Sequence, residues 1–218
     1  MLKVLLVTSM VLTSSVALNT IASSLDDKQA VTKQQLTAKT ELRAILAKVN
    51  NLSANFSQNI VDVEGELLQE GSGFFTLAKP NLLHWQTELP EESTIISDGE
   101  TLWLFDPFIE QVSAYPLATS IANTPILLLT SNEESLWQQY QVFKVEKSSF
   151  NVVAVDAEAQ VKQLNLVFKQ NALSSFSIVD ATGQKSHFTL AEVKLNANTK
   201  ADLFTFTVPE GVMLDDQR

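Results

Sequence analysis

The chain has 218 residues, of which 45% are hydrophobic and 18% charged, so it can bury one sizeable core and belongs among globular rather than disordered proteins. A formal net charge of -10 and a pI near 4.6 argue against nucleic-acid binding, which requires a basic face, and they disfavour unaided docking on an anionic membrane. Without cysteine there are no disulfide bonds, and no cysteine is present at a cleavage site to carry a lipid.

The N-terminal residues have the pattern of a secretory signal peptide. Lys3 precedes an apolar run from Val4 to about Leu12, which is too short to span a membrane, and small residues follow it. Cleavage fits after Ala17, Ala22 or Ser24. We favour Ala22 to Ser24 and predict a signal peptide over residues 1–23 and a single mature domain over residues 24–218. A buried N-terminal helix is the alternative.

Residues 26–49 are the longest helix candidate. One apolar stripe at helical spacing supports it, formed by Leu42, Ile45, Leu46 and Val49. The residues before this stripe are polar, so residues 24–40 are predicted to be an N-terminal extension of the domain. We find no internal repeat and no linker, which favours one domain.

Strand-like segments begin at Phe56 and recur about every ten residues as far as Tyr115, with turn residues between them. This spacing predicts an antiparallel sandwich or barrel. Strands resume after a helical interlude, over residues 142–147, 150–155, 163–169, 175–179, 188–195 and 204–208.

The interlude at residues 124–140 is predicted to hold two short helices. Pro125 suits a first helical position, and residues 131–134 (SNEE) have the spacing of a capping box that opens a second helix. The apolar side chains of that second helix are Leu136, Trp137 and Tyr140.

The segment TLWLF at residues 101–105 differs from an ordinary half-exposed strand. An antiparallel strand usually keeps one face polar, whereas Leu102, Trp103, Leu104 and Phe105 put large apolar groups on both faces. One face needs a core, and the other needs a cover. The helices at 26–49 and 124–140 are the covers that we expect.

No arrangement typical of an enzyme or of a cofactor site is present. The two histidines, His84 and His187, lie about a hundred residues apart in a chain without cysteine, which argues against a zinc site. Gly71 and Gly73 flank a strand rather than opening a helix, so they do not form a phosphate loop. We therefore expect no enzymatic activity, no metal and no cofactor.

Several segments together resemble the LolA family of periplasmic outer-membrane lipoprotein carriers. They are FFTLAKPNLLHW at 74–85, PEESTIISDGETLW at 90–103, DPFIEQ at 106–111, NTPILL at 123–128, FTFTVPEG at 204–211 and DDQR at 215–218. The resemblance runs from about Leu42 to the end of the sequence.

The resemblance implies a mainly β fold, an incomplete antiparallel β-barrel with a helical lid. It implies a periplasmic carrier, expected as a monomer, that accepts acylated lipoproteins from an inner-membrane ABC-type release complex and delivers them to an outer-membrane receptor. Their acyl chains would enter an apolar cavity, for which it points to Leu83, Trp85, Trp103, Phe105, Ile126 and Leu127.

Two positions depart from the family pattern. Relatives commonly have arginine where this chain has Lys79, and often an aromatic residue where it has Leu83. The family role implies that Lys79 latches the lid, and we expect its ammonium group to donate to backbone carbonyls near Leu129 and Thr130. Lysine lacks the rigid fork of arginine, so lid closure is expected to be weaker or shared with other residues.

Other functions remain open from the residues alone. They are an envelope-stress or lipid-sensing interaction domain of the same fold, the outer-membrane receptor, an enzyme acting on lipid or cell-wall substrates, and a fold whose apolar faces only form a core. The receptor is disfavoured because it is itself a lipoprotein and this chain has no cysteine.

Overall fold

A computed structural model describes the backbone of residues 19–120, 125–131 and 133–218 and the side chains of residues 32–120, 126–131 and 133–218. The chain divides at Gln34: residues 35–218 form one compact unit, and the described part of the other unit is residues 19–34. The predicted signal peptide lies outside the described residues except for its last five. The boundary of a single mature domain stays a prediction.

Twelve described strands form one unclosed sheet, as the predicted incomplete barrel requires. In chain order they are β1 (Asn51–Val61), β2 (Leu67–Ala78), β3 (Leu82–Leu89), β4 (Ser93–Asp98), β5 (Thr101–Asp106), β6 (Gln111–Pro116), β7 (Tyr140–Glu146), β8 (Ser149–Ala154), β9 (Val161–Lys169), β10 (Ala172–Asp180), β11 (Lys185–Leu195) and β12 (Met213–Asp216). Their order across the sheet is 12-6-5-4-3-2-1-11-10-9-8-7. The mainly β fold class is therefore confirmed.

The C-terminal region differs from the sequence prediction. Residues 204–208 were expected to be a strand, and this is wrong: a 3-10 helix covers Ala201–Phe204, and no strand follows it until Met213. Strand β12 was not predicted. It pairs with β6 in parallel, with Met213 beside Gln111, so the sheet is antiparallel everywhere except at this edge.

Besides the 3-10 helix Ala201–Phe204, the described helices are α1 (Asn19–Leu46), α2 (Leu117–Ser120), a 3-10 helix over Pro125–Leu129 and α3 (Glu134–Trp137). The expected helix through Tyr140 is wrong, because Tyr140 is buried as the first residue of β7 and pairs with Ala154. The capping box is also wrong. Ser131 Oγ accepts the N–H of Glu133 at 3.2 Å, and α3 begins without a side-chain cap. Sheet pairing overrides the local helical signal here.

The main core lies between the inner face of the sheet and a lid, by which we mean α1 from residue 35, the 3-10 helix Pro125–Leu129 and α3. Ala38, Leu42 and Leu46 are the buried residues of α1, which confirms that the stripe predicted there faces the core. Burying each leucine of this kind stabilises the fold by about 1.5–3 kcal/mol. Packing of one apolar face therefore holds α1 against the sheet.

A second, smaller apolar group lies on the outer face of β4, β5 and β6. Ile96, Trp103 and Ala114 are directly paired across these strands and so share one face. The C-terminal segment covers them: the ring of Phe206 stacks on Trp103 at 5.5 Å, and the Arg218 guanidinium lies 4.8 Å from the same ring. On the inner side of β5 lie α2 and the 3-10 helix Pro125–Leu129, whereas the C-terminal segment covers its outer face, so the expectation that helices supply the second cover is wrong.

Candidate functional site

A cavity of about 420 Å³ lies on the inner face of the sheet. Its wall is built from strands on both sides of the barrel, from α2 and from the 3-10 helix Pro125–Leu129. The wall residues are Leu83, Trp85, Ile95, Leu102, Leu104, Tyr115, Ser120, Ile126, Ile178 and Phe188. Only Tyr115 and Ser120 among them carry a hydroxyl group, so the cavity suits an apolar ligand.

The cavity reaches solvent along β5. Leu104 lies on the wall and is 36% exposed, whereas Leu102, two residues before it on the same face, is buried. A strand places alternate side chains on opposite faces, so the wall runs from a covered end at Leu102 to an open end at Leu104. An apolar chain has a route into the cavity past Leu104.

The structure brings together only some of the residues expected in the cavity. Leu83, Trp85 and Ile126 lie on its wall. The expectation for Trp103 and Phe105 is wrong, since both lie on the outer face of β5 against Phe206.

The expectation for Leu127 is wrong as well. It is completely buried in the main core, while its neighbour Ile126 faces the cavity. A 3-10 turn of five residues presents few side chains to any one side, so adjacent residues face different surroundings.

Sequence reasoning missed the part of the wall that comes from the C-terminal strands. Ile178 on β10 and Phe188 on β11 face Trp85 across the barrel, and the Trp85 and Phe188 ring centroids are 5.3 Å apart. The alternation of apolar and polar residues at 186–190 marks Phe188 as inward-facing. The alternation thus predicts that Phe188 faces inward, but it cannot distinguish a residue on a cavity wall from a residue in a fully packed core.

Lys79 stands at the end of β2 and contacts a different element from the one expected. Its Nζ donates to the carbonyl oxygens of Leu46 at 2.9 Å and Ala47 at 3.4 Å, at the C-terminal end of α1. The expectation of bonds to Leu129 and Thr130 is therefore wrong. Burial lowers the pKa of Lys79 from its ordinary value. Lys79 is an inter-element contact rather than a fully solvated surface charge.

Charged side chains of α1 also reach the neighbouring elements. Arg43 forms an ion pair with Glu134 at the start of α3, and Lys39 Nζ donates to the carbonyl oxygen of Trp137 at 2.7 Å. On the other side, Lys144 of β7 lies 2.5 Å from Glu41. Because two of these three contacts join α1 to α3, these helices are coupled to each other within the lid.

The described residues contain no group of three or more histidine, cysteine or acidic side chains that could hold a metal ion. His84 lies between Leu83 and Trp85 on β3 and so points to the opposite, outer face, where its ring meets Phe74 edge-on at 5.8 Å. Burial lowers its pKa, and its Nδ1 has no hydrogen-bond partner within the described part of the chain.

Among the helices that the structure describes, none combines the length and the apolar character needed to cross a membrane.

Comparison with known proteins relates this cavity to a family. The family model for "Outer membrane lipoprotein carrier protein LolA" matches residues 47–207, a range that contains every wall residue of the cavity. The chain belongs to this family. The match begins immediately after α1 ends at Leu46 and contains strands β1 to β11 together with the helices between residues 117 and 137.

Individual members of the LolA family are similar over most of their length. The outer-membrane lipoprotein carrier protein of Yersinia enterocolitica is 42% identical over 182 residues, covering 83% of this chain and 89% of the relative. The outer-membrane lipoprotein carrier protein of Vibrio parahaemolyticus is also 42% identical over 182 residues, and the match covers 83% of this chain and 86% of the relative. A solved LolA superfamily protein from Nitrosomonas europaea has 12% identity and a TM-score of 0.44, covering 76% of this chain and 97% of its own.

Proposed function

We propose that this chain carries outer-membrane lipoproteins through the periplasm and shields their acyl chains in the cavity between the sheet and the lid. The supporting observation is the cavity itself, whose wall is almost entirely apolar and which opens to solvent beside Leu104. The carrier is not an enzyme. It changes where an acyl chain resides without making or breaking a bond.

The energy of hydration explains why a carrier is needed. Three acyl chains contain about 45 methylenes, and leaving them in water costs about 35 kcal/mol at about 0.8 kcal/mol each. Transfer from a bilayer to an apolar cavity exchanges one apolar environment for another, so its net free energy is small and reversible. Work for extraction must come from another protein, because no motif in this sequence binds a nucleotide.

The partners that we propose are those that the resemblance to the LolA family implies. An inner-membrane ABC-type complex that hydrolyses ATP supplies the work of extraction, and an outer-membrane receptor accepts the cargo at the end of the route. The carrier works as a monomer between the two.

The volume of the cavity limits what this conformation can hold. A methylene is close in size to a water molecule, whose share of liquid volume is about 30 Å³. About 420 Å³ therefore holds about fourteen methylenes, or one acyl chain. Because a triacylated lipoprotein has three chains, loading requires the lid to move away from the sheet. The contacts of Lys79 with the end of α1 resist that movement, which makes Lys79 the latch of the lid.

Size-exclusion chromatography tests the proposal. The purified chain is mixed with membranes that hold a triacylated lipoprotein, the release complex and ATP, and a soluble one-to-one complex is expected. Leu104→Glu places a carboxylate at the cavity entrance and should abolish the complex, while Val145→Glu, at an exposed site on β7, should leave it intact. If the lipoprotein stays in the membranes with the unmodified chain, the proposal is wrong.

A further inference from the structure

A phenylalanine that is absent from the cavity wall lies directly behind it. Phe56 of β1 is 4% exposed, and its ring centroid is 4.5 Å from that of Trp85 and 5.6 Å from that of Phe188. Both neighbours are wall residues, and they come from β3 and β11, the strands that flank β2 and β1 in the sheet. Phe56 therefore closes the bottom of the groove between these two residues.

The sheet leaves space for this ring at one position. Phe56 pairs with Gly73 of β2, and a Cβ atom added to Gly73 would lie 2.0 Å from the backbone oxygen of Gln86 on β3 and 2.8 Å from Cζ of Phe56. Any side chain at residue 73 would therefore force β2 and β3 apart and would also press on the ring of Phe56. Gly73 thus allows the ring of Phe56 to lie close against β2, behind the cavity wall.

Phe75 also lies beneath Trp85, with the two rings stacked at 5.2 Å, but its ring does not contact that of Phe188. Its other ring neighbours are Phe56 and Phe176, and neither is on the wall. Two described aromatic residues, Phe56 and Phe176, contact the rings of both Trp85 and Phe188 without being part of the wall, and Phe56 lies nearer to Trp85, at 4.5 Å against 6.3 Å.

We propose that Phe56 is the floor of the cavity and sets the length of acyl chain that the carrier accepts in this conformation. The inference rests on the proposed function, because it takes the cavity to be the acyl-chain site. It goes further by assigning a chain-length limit to one residue. Truncating Phe56 connects the space beneath Trp85 and Phe188 to the cavity, so that a longer chain fits.

A series of single-chain amphiphiles measures this limit. Alkyl maltosides of 8 to 16 carbons carry no charge, so the net charge of -10 does not repel them, and each is titrated below its critical micelle concentration. Affinity should rise about fourfold for each added carbon while the carbon is buried, and level off once the chain reaches the floor. We call the chain length at which the affinity stops rising the break. For the unmodified carrier we expect the break at about fourteen carbons.

Two substitutions move the floor by different amounts. Phe56→Leu should shift the break to longer chains by about one carbon and Phe56→Ala by about three, according to the volume removed. Phe56→Leu is the safer variant, because Phe56→Ala leaves a large void in a buried site. Phe150→Leu is the matched control: Phe150 is equally buried, on β8, but its ring neighbour is Phe168 and it is remote from the wall.

The outcomes separate this inference from the function on which it rests. If the break moves to longer chains in the Phe56 variants and is unchanged in Phe150→Leu, the proposal that Phe56 sets the chain-length limit is supported. If the unmodified carrier shows a break that Phe56→Leu and Phe56→Ala leave unchanged, the floor is wrong while the cavity remains an acyl-chain site. If the unmodified carrier binds no alkyl maltoside, both the acyl-chain site and the floor are wrong.

Discussion

The ammonium group of Lys79 lies 2.9 Å from the carbonyl oxygen of Leu46, which joins the end of β2 to the last turn of α1. The same carbonyl accepts the N–H of Val49 at 3.0 Å, and Nδ2 of Asn196 donates to the next free carbonyl, that of Lys48, at 3.0 Å. The C-terminal end of a helix carries partial negative charge, so a cation there is favourable. The end of α1 is thus held to the sheet at two points.

Replacing Lys79 tests the latch. Its charge-assisted bonds are worth about 1.5 kcal/mol in this partly exposed setting, which corresponds to about a tenfold bias towards the closed lid. Lid closure competes with bound lipid and so assists release. Lys79→Leu should therefore load lipoprotein normally and transfer it to the receptor about tenfold more slowly, with loading and transfer assayed separately.

Two variants control for the loss of a lysine in general. Lys79→Arg keeps a cation that can reach the same carbonyls and should load and release normally. Lys169→Leu removes an exposed lysine at the end of β9 and should also behave as the unmodified chain does. Transfer by Lys79→Leu at the unmodified rate would show that the latch lies elsewhere.

Cross-linking on β5 tests which face meets the acyl chains. A photo-reactive amino acid at Leu104 should trap bound lipoprotein, and the same group at Trp103, the adjacent residue, should not, because its side chain lies on the outer face against Phe206. Trp85 and Ile126 are positive controls on the wall, and Gln163 of β9 is a negative control. Equal yields at 103 and 104 would place the acyl chains outside the cavity.

The outer cover of β5 can be weakened without touching the cavity. Phe206→Ala removes the ring that stacks on Trp103 and should lower the free energy of unfolding by about 1–2 kcal/mol, measured by urea denaturation. The fluorescence of Trp103 should shift to longer wavelength as water reaches it. Phe108→Ala is the control, since Phe108 is 83% exposed in the turn after β5 and should leave stability unchanged. A stability loss as large in Phe108→Ala would refute the role given to Phe206.

His84 gives the stability a defined dependence on pH. Burial lowers its pKa below the ordinary value of 6.5, so the unfolded chain binds the proton before the folded chain does. The contribution of His84 to the free energy of unfolding is constant above about pH 6.5 and falls as the pH drops from there towards the folded-state pKa.

Denaturation at pH 7.5 and at pH 5.5 measures this effect. His84→Gln should lose less stability between the two pH values than the unmodified chain. An unchanged pH dependence in His84→Gln would mean that another group is responsible.

The sequence was sufficient for the mainly β class, for the strands between Phe56 and Tyr115 and for the inward face of α1, because periodicity reports local geometry and one-sided burial. It was not sufficient for β12, whose four residues have no alternation and form a strand only because β6 offers an edge. Long-range pairing of this kind leaves little local signal.

The same limit explains the errors in the site. The segment Leu102–Phe105 is apolar on both faces, so composition could not decide which face lines the cavity, and the register that settles it depends on partners across the sheet. For Lys79 the contact with the lid was an implication of the family resemblance and not of any local pattern. Its partner depends on where α1 ends in space, which no local pattern encodes.

The parallel pairing of β12 with β6 has a consequence for the order of folding. Met213 and Gln111 are about a hundred residues apart, and closing so long a loop gains nothing until the hairpins between them have shortened it. Until then the backbone edge of β6 stays unpaired beside Val112 and Ala114, which is the kind of surface that recruits strands from other molecules. Strand β12 thus covers a backbone edge that would otherwise be open to pairing with another chain.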